Sequence, residues 1–388
     1  MYNYSQASKI SNFHLWFPNI FGFKGGIQVY SAFLLQALQE IYPESEYEVF
    51  LKLDKQATPD LTFLDKTQFH FVGGWPKLMQ TPVFATQLLG YGVGKRPDLA
   101  IATHINFTLA ANWLKRVAGV PYWAIAHGVE AWDIQQPRLQ QALANADRIL
   151  AVSEYTRDRL LKEQNLDPHK VGLLPNTFDE SRFQICPKPA YLLERYNLSA
   201  DRPLILTVGR LSETDRYKGY DRIIEALPTI LQQIPNAHYL IVGKGKDRDR
   251  VERLIQQLNL QNHVTLAGFI PDEELCDHYN LCDLFAMPSK GEGFGIVYLE
   301  ALACGKPTLG GNQDGAIDAL CRGKLGALVD PNSVEEIAQT AIAILNRTYD
   351  NPLMYQPEAL RQAVIDTFGF KRFVQTLAAL FSPAISYP

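Results

Sequence analysis

Short apolar runs alternate with helix-period segments along almost the whole chain. In the first half, His14 to Phe17, Val49 to Leu53, Phe69 to Val72, Leu99 to Ala102, Tyr122 to Ala126, Ile149 to Val152 and Val171 to Leu174 read as buried strands. Helical periodicity falls between several of them, as at Ile27 to Ile41 and Arg138 to Asn145. From about Gln184 to Arg202 the pattern loosens. Pro187, Pro189 and Pro203 surround one short helical stretch, which reads as a linker. The alternation then restarts. Leu204 to Val208, Tyr239 to Val242, Val264 to Ala267 and Leu284 to Met287 predict strands, with helices at Tyr220 to Gln233, Asp249 to Leu258 and Asp272 to Tyr279. Val334 to Leu345, Glu358 to Phe368 and Lys371 to Phe381 close the chain as helices. Strand, helix, strand in repetition is the signature of an α/β protein with parallel sheets. A chain of 388 residues exceeds one ordinary domain, so two are expected, at 1–185 and 186–370. Two such halves place a cleft between them, and ligands of these sheets bind beyond the carboxyl ends of the strands.

Composition removes several function classes. The net charge of -4 gives no electrostatic case for nucleic acid. No apolar run approaches the ~20 residues of a membrane span, and the polar stretch Met1 to Asn12 is not a signal peptide. The 5 cysteines are scattered without a C-x-x-C pair, so neither zinc nor a disulfide framework is suggested. A reducing cytoplasm is the expected location, with the inner face of the membrane as an additional candidate. The loop at Trp75 and the stretch Ala85 to Gly92 leave room for weak peripheral membrane contact. Oligomeric state is not legible.

The most informative stretch follows the run Leu284 to Met287. Pro288 and Ser289 end that strand, and a helical pattern begins near Gly295 and closes at Gly305 and Pro307. Phe294, Gly295, Ile296 and Val297 supply the first backbone N–H groups of the helix. These lack partners inside it and carry the positive end of its dipole, which suits a phosphate. Glu292 stands before the turn and Glu300 within the helix. A ligand with phosphate in the middle and hydroxyls at both ends, such as a nucleotide-sugar, fits that order.

Other strand ends add chemistry. Gly22-Phe23-Lys24-Gly25-Gly26 opens a helix, and Gly25 and Gly26 let a ligand approach the backbone. It is not a G-x-G-x-x-G, so a dinucleotide fold gains little support. His127-Gly128 follows the run at Tyr122 to Ala126; His104 ends the preceding strand, and Glu130 is a candidate on the acceptor side. Arg210, after Gly209, and Lys218, before Gly219, form a pair of cations suited to a diphosphate, with no obvious carboxylate four residues away on a helix. Val242-Gly243-Lys244-Gly245 reads as a turn. Gly268-Phe269-Ile270 offers backbone groups to a base edge, with Ile270 as the contact. Asp247-Arg248-Asp249 spells D-x-D, but it opens a helix within a run of basic residues, so no metal ligand is assigned.

Taken together, these residues resemble the retaining glycosyltransferases of family four. The resemblance runs through Gly25-Gly26, His127-Gly128, Val152-Ser153-Glu154, Pro175-Asn176 with Asp179 and Phe183, Gly209-Arg210 with Lys218-Gly219, Val242-Gly243-x-Gly245, and Pro288-Ser289 leading to Glu292-Gly-Phe-Gly and Glu300. It implies the GT-B architecture: two Rossmann-like domains facing a cleft, the last helix, from about 371 to 388, crossing back to the first. It also implies roles. Arg210, Lys218 and the N–H groups of 294–297 hold the donor diphosphate. Glu300 accepts from ribose hydroxyls, Glu292 binds the donor sugar, and His127 stabilises charge near the anomeric carbon. Gly25 and Gly26 approach the phosphates. No cofactor and no metal are implied. The partners are a nucleotide-sugar donor, with UDP-glucose first, and a carbohydrate or glycolipid acceptor, as in polysaccharide or glycolipid biosynthesis. One departure concerns the segment after Gly310-Gly311, where the family often carries a glutamate; here Asp314 or Asp318 is the available substitute. A GT-B-like nucleotide-sugar epimerase and a non-catalytic nucleotide- or carbohydrate-binding protein are the competing readings.

Overall fold

The computed structural model describes residues 10–22, 25–58 and 63–381. Phe23 and Lys24 of the glycine-rich loop, and residues 1–9 and 382–388, lie outside the described residues. Two compact units divide the chain: residues up to Thr177 with those from Phe370 onward, and residues Phe178–Gly369.

The first unit is built on seven strands: β1 (Asn12–Phe17), β2 (Glu46–Leu51), β3 (Thr67–Phe71), β4 (Leu99–Ala102), β5 (Tyr122–Ala126), β6 (Arg148–Ala151) and β7 (Val171–Leu173). They form one sheet in the order β3-β2-β1-β4-β5-β6-β7, every pair parallel. Its helices are α1 (Gly26–Ile41), α2 (Lys77–Lys95), α3 (Thr108–Ala118), α4 (Pro137–Ala144) and α5 (Glu154–Glu163). Strands buried on both faces read as unbroken apolar runs, which is why YWAIA of β5 stands out in the sequence. The helix expected at Ala85 to Gly92 is present but longer: it is part of the 19-residue helix α2, which begins two residues after Trp75.

The second unit starts with α6 (Ala190–Arg195). Its sheet holds β8 (Leu204–Val208), β9 (His238–Val242), β10 (Val264–Gly268), β11 (Leu284–Met287), β12 (Thr308–Gly311) and β13 (Ala327–Val329). The order is β10-β9-β8-β11-β12-β13, again all parallel. Its remaining helices are α7 (Tyr220–Gln233), α8 (Arg248–Gln257), α9 (Leu275–Leu281), α10 (Ile296–Ala303), α11 (Ala316–Ala319), α12 (Val334–Leu345) and α13 (Pro357–Phe368). The final helix α14 (Phe370–Phe381) belongs to the first unit, where Phe373 stands edge-on to Tyr30 and Phe381 stacks on Trp123.

The break at 177/178 precedes the composition change at 184 because the intervening residues are anchored to the second unit. The Phe183 ring meets Tyr279, and the Arg361 guanidinium donates to the carbonyls of Phe183 and Glu180. The Cys186 N–H donates to Asn280.

In both sheets the strand order reverses once, between β1 and β4 and between β8 and β11. At such a switch point the two flanking connections leave in opposite directions and open a crevice. In the first unit, Gly25 follows β1 and His104 follows β4. In the second, Arg210 follows β8 and Glu292 follows β11. Chemistry-bearing residues remote in sequence therefore gather at two sheet positions, one in each unit.

Candidate functional site

In the second unit, β8 exits through Gly209-Arg210, and a 3-10 turn over Glu213–Lys218 returns the chain to α7. The turn ends at Gly219, whose φ of +76° suits glycine. A Cβ there would stand 2.3 Å from the Pro288 carbonyl oxygen, so only glycine lets the turn lie against the loop after β11. The contact continues through the Lys290 N–H, which donates to the Tyr217 carbonyl at 2.9 Å. The Lys218 stem lies across Gly209, and its ammonium forms an ion pair with Glu292. Lys218 and Glu292 are 12% and 13% exposed. Burial alone would lower the lysine pKa, but the Glu292 carboxylate beside it, helped by Tyr217, holds it well above the ordinary lysine range.

Neither cation has a carboxylate four residues away on a helix, as expected, but both are paired by other routes. The two cations do have carboxylate partners. Arg210 donates to Asp215 at 3.0 Å because the 3-10 turn folds that buried side chain back, and Lys218 finds Glu292 across 74 residues of sequence. Helical i,i+4 spacing reports neither. The Arg210 side chain remains 64% exposed, so Asp215 orients it without covering it.

The Glu292 loop is held from below by Asp314. One carboxylate oxygen accepts from the N–H groups of Gly291 and Glu292, both at 2.7 Å, and the other accepts from Ala316 at 2.9 Å. Burial pushes the Asp314 carboxyl up to about 6, against the pull of these N–H groups. Asp314 is fully buried, so it anchors the loop and is not a surrogate for a ligand-facing glutamate. Gly295, in the left-handed region at φ +90°, then opens α10, which has no side-chain cap. The first-turn N–H groups at 295–297 are the uncapped positive end of that helix.

One turn into α10, Glu300 is 9% exposed and its Oε2 accepts from the Tyr279 hydroxyl at 2.7 Å. Burial pushes its pKa from 4.5 up to about 7, moderated by that hydrogen bond. A raised carboxyl favours the fold most when protonated: its contribution is complete below pH ~4.5 and is lost as pH rises through about 7. Glu300→Gln is therefore expected to shrink the stability difference between pH 5 and pH 8 by about 2 kcal/mol, read from urea unfolding at both values. An unchanged difference would contradict this placement.

Ile270 is buried just past β10, and the adjacent Phe269 is 62% exposed with the Lys244 ammonium 4.6 Å above its ring. The 243–245 turn packs against the 209–211 backbone, where a Cβ on Gly243 would collide with the Gly209 carbonyl. It supports the loop bearing Arg210. Asp247 is not the side-chain cap of α8. It is buried and held by Arg216, Arg250 and Tyr220, so its oxygens are engaged in an ion network. No group of three or more His, Cys, Asp or Glu arranged to hold a metal ion occurs among the described residues.

In the first unit, Gly25 is the N-cap of α1 with no side-chain hydrogen bond, and a Cβ on Gly26 would meet open space. The preceding loop is tied down by the buried Asp54 carboxylate, which accepts from the N–H groups of Ile20, Phe21 and Gly22. Sequence reading missed Asp54; its only signal is an acid just past a buried strand.

His127 follows β5, and Gly128 takes φ +138° to turn the chain away. The Thr103 carbonyl accepts from His127 Nε2 at 3.1 Å, and the Tyr30 ring stands edge-on at 4.9 Å. Burial, reinforced by nearby His104, lowers the imidazole pKa to about 3. His127 is thus neutral near pH 7, with Nε2 protonated and Nδ1 left as acceptor. Glu130 turns inward: its carboxylate accepts from the His127 N–H at 2.6 Å and so shapes this loop, which leaves it poorly placed as an acceptor-side group. His104 Nδ1 accepts from the Asn106 N–H at 3.2 Å and caps a 3-10 turn.

Residues 24–182 match the profile described as Glycosyltransferase Family 4, and residues 192–360 match Glycosyl transferases group 1. The chain belongs to the family-four glycosyltransferases. Among similar proteins, a GDP-mannose-dependent alpha-(1-6)-phosphatidylinositol monomannoside mannosyltransferase of Mycolicibacterium smegmatis is 36% identical over 234 residues, 57% of this chain. The match spans 60% of that relative's length. A D-inositol 3-phosphate glycosyltransferase of the same organism is 26% identical over 94% of this chain and 88% of its own. Among solved structures, sucrose-phosphate synthase from Thermosynechococcus elongatus superposes with a TM-score of 0.77 at 22% identity, covering 96% of this chain and 98% of that one. Anabaena HepE in complex with UDP-glucose gives 0.76 at 21%, covering 96% and 99%. These likenesses establish the GT-B fold for this family member, with a Rossmann-like domain at each end of the chain.

Proposed function

We propose that this family-four member transfers a hexose from a nucleoside-diphosphate sugar to a hydroxyl acceptor with retention of anomeric configuration and without a catalytic metal. The observation that carries the proposal is the Lys218–Glu292 pair, with Glu292 set four residues before the start of an uncapped helix that buries a second glutamate. In the proposed mechanism, charge grows on the leaving diphosphate as the glycosidic bond breaks. Arg210, Lys218 and the N–H groups at 294–297 stabilise it where it develops, which lowers the barrier rather than merely binding the donor. Glu300 accepts from the ribose hydroxyls. This needs its ionised form, so donor binding tightens as pH rises through about 7. Glu292, already oriented by Lys218, takes sugar hydroxyls. His127 accepts from a sugar hydroxyl through Nδ1, and Gly25 and Gly26 leave room for phosphate at the start of α1. Glu292 is assigned to binding sugar hydroxyls rather than to a covalent intermediate, which favours a front-face route over the two-carboxylate route of glycosidases.

UDP-glucose is the donor favoured by the sequence reading, whereas the relative at 36% identity carries GDP-mannose in its name. Both belong in the test. Purified protein with each donor, with and without glycolipid acceptor and with EDTA present, should release nucleoside diphosphate in an acceptor-dependent way. Conversion of the donor sugar without acceptor would favour an epimerase. Binding without turnover would favour a non-catalytic protein.

A glycolipid acceptor is supported by one surface. No described helix is long and apolar enough to cross a membrane. Yet Trp75, Leu78, Met79, Val93, Trp113 and Val117 are all exposed on or beside α2 and α3. The two helices pack closely, since a Cβ on Gly92 would strike Leu114, and exposed Lys77, Arg96 and Arg116 lie on the same pair. Apolar and aromatic side chains among cations suit an anionic membrane surface. Sedimentation with vesicles containing anionic phospholipid should retain the protein, and Leu78→Ser with Trp113→Ser should weaken retention at least ~10-fold. Equal recovery in the supernatant with and without vesicles would remove the membrane from the proposal.

A further inference from the structure

Cys276 lies on α9 and Cys304 caps the carboxyl end of α10, and their sulfurs are 3.9 Å apart. The sequence separates them by 28 residues, which is why they read as scattered. Cys304 is fully buried, whereas Cys276 is only partly covered. The Cys276 sulfur also meets the Asn280 side-chain amide at 3.4 Å and the Gln184 carbonyl at 3.7 Å. Both helices carry the proposed ribose site. Tyr279 follows Cys276 by three residues, Glu300 precedes Cys304 by four, and the two side chains share a hydrogen bond of 2.7 Å.

We propose that Cys276 and Cys304 form a reversible intramolecular disulfide that acts as a thiol switch on the Glu300 side of the donor site. The chemistry is ordinary exchange with a small-molecule disulfide such as glutathione disulfide. The Cys276 thiolate attacks one sulfur of the oxidant, forming a mixed disulfide and releasing one glutathione thiolate. Cys304 then loses its proton and attacks the Cys276 sulfur, releasing the second glutathione. Two protein thiols are oxidised, one glutathione disulfide is reduced to two thiols, and these carry away the two protons. The order follows from access: the partly covered thiol reacts first and the buried one resolves it. The Cys304 thiol beside it depresses the Cys276 thiol to about 6 despite its burial, while the same contact and burial raise Cys304.

A bonded pair requires the sulfurs to close from 3.9 Å to roughly 2 Å. Asn280 and Gln184 must release Cys276, and α9 is drawn against the end of α10. The strain falls on the Tyr279–Glu300 contact one turn away, so the oxidised protein binds donor more weakly, by about 3- to 10-fold. That last effect rests on the proposed nucleotide-sugar function; disulfide formation does not.

The test incubates the full-length protein with glutathione disulfide, then reads intact mass, peptide mapping and nucleoside-diphosphate affinity before and after dithiothreitol. The expected result is loss of two mass units, a 276–304 linkage that persists in Cys186→Ser and is absent from Cys276→Ser, and a reversible drop in affinity. Stable glutathione adducts without that linkage would overturn the proposal. So would a linkage that leaves nucleotide affinity unchanged, since the bond would then be structural only. If the reduced protein binds no nucleoside diphosphate, the functional reading fails, and the switch on that site fails with it even where the linkage forms.

Discussion

Lys218→Ala is expected to lower kcat/KM for nucleotide-sugar turnover about 10³-fold, near 4 kcal/mol of transition-state stabilisation. The ammonium is held in place by Glu292 and kept strongly protonated, so its charge meets the leaving phosphate without reorganisation. The same substitution leaves a largely buried carboxylate unpaired and should cost about 3 kcal/mol of folding stability. The two effects separate in the double variant Lys218→Met with Glu292→Gln. Removing both charges should recover most of the stability but none of the activity. Urea unfolding and steady-state kinetics on the single and double variants measure this. A double variant as active as the wild type would show that the pair is structural.

Asp314→Ala is expected to destabilise the second unit by about 4 kcal/mol. Three backbone N–H groups, those of Gly291, Glu292 and Ala316, lose the Asp314 carboxylate that accepts from them in a buried setting. Donor turnover should fall with it, because the loop that presents Glu292 to Lys218 is released. Asp314→Asn keeps an acceptor oxygen and should cost about half as much. Denaturant midpoints for the two variants give the comparison. A loss below about 1 kcal/mol for the alanine variant would mean that the loop holds itself.

Much of this architecture is legible in the sequence, for a definite reason. Strands of parallel sheets are covered on both faces, so LAIA of β4, LILTV of β8 and LFAM of β11 appear as apolar blocks with sharp ends. α7 and α12 were equally clear because their apolar stripe keeps a 3.6-residue period. β12 was missed: it reads Thr-Leu-Gly-Gly, and its glycines are there for close packing against the Ser289 carbonyl and Leu320 rather than for strand propensity. α2 was legible only over Ala85 to Gly92, and its first two turns were not, because its outer face is apolar as well. Only Phe84, Leu88 and Gly92 are buried, so exposed Leu78, Met79 and Val93 blur the period.

The candidate site was legible as a set of strand-end residues and not as a set of contacts. Glu292, Lys218, Arg210 and Glu300 were identifiable from residue type and position, since a parallel sheet sends its carboxyl-end loops to one edge. Their partners were not. Asp215 reaches Arg210 through a 3-10 turn, Tyr279 reaches Glu300 from a neighbouring helix, and Asp314 reaches the Glu292 loop from the far side of β12. Each depends on tertiary geometry that spacing does not encode. His127 shows the other side of this: its position was evident, but its neutral state is set by burial and by the Thr103 carbonyl.

The most direct measurement is calorimetric titration of UDP and GDP, each against its parent nucleoside, into the wild-type protein and Arg210→Ala. For at least one base, the diphosphate should bind about 100-fold more tightly than the nucleoside, and the variant should lose at least half of that free-energy gap. Equal affinity for diphosphate and nucleoside, or a gap untouched by the loss of Arg210, would contradict a pyrophosphate site in the second unit.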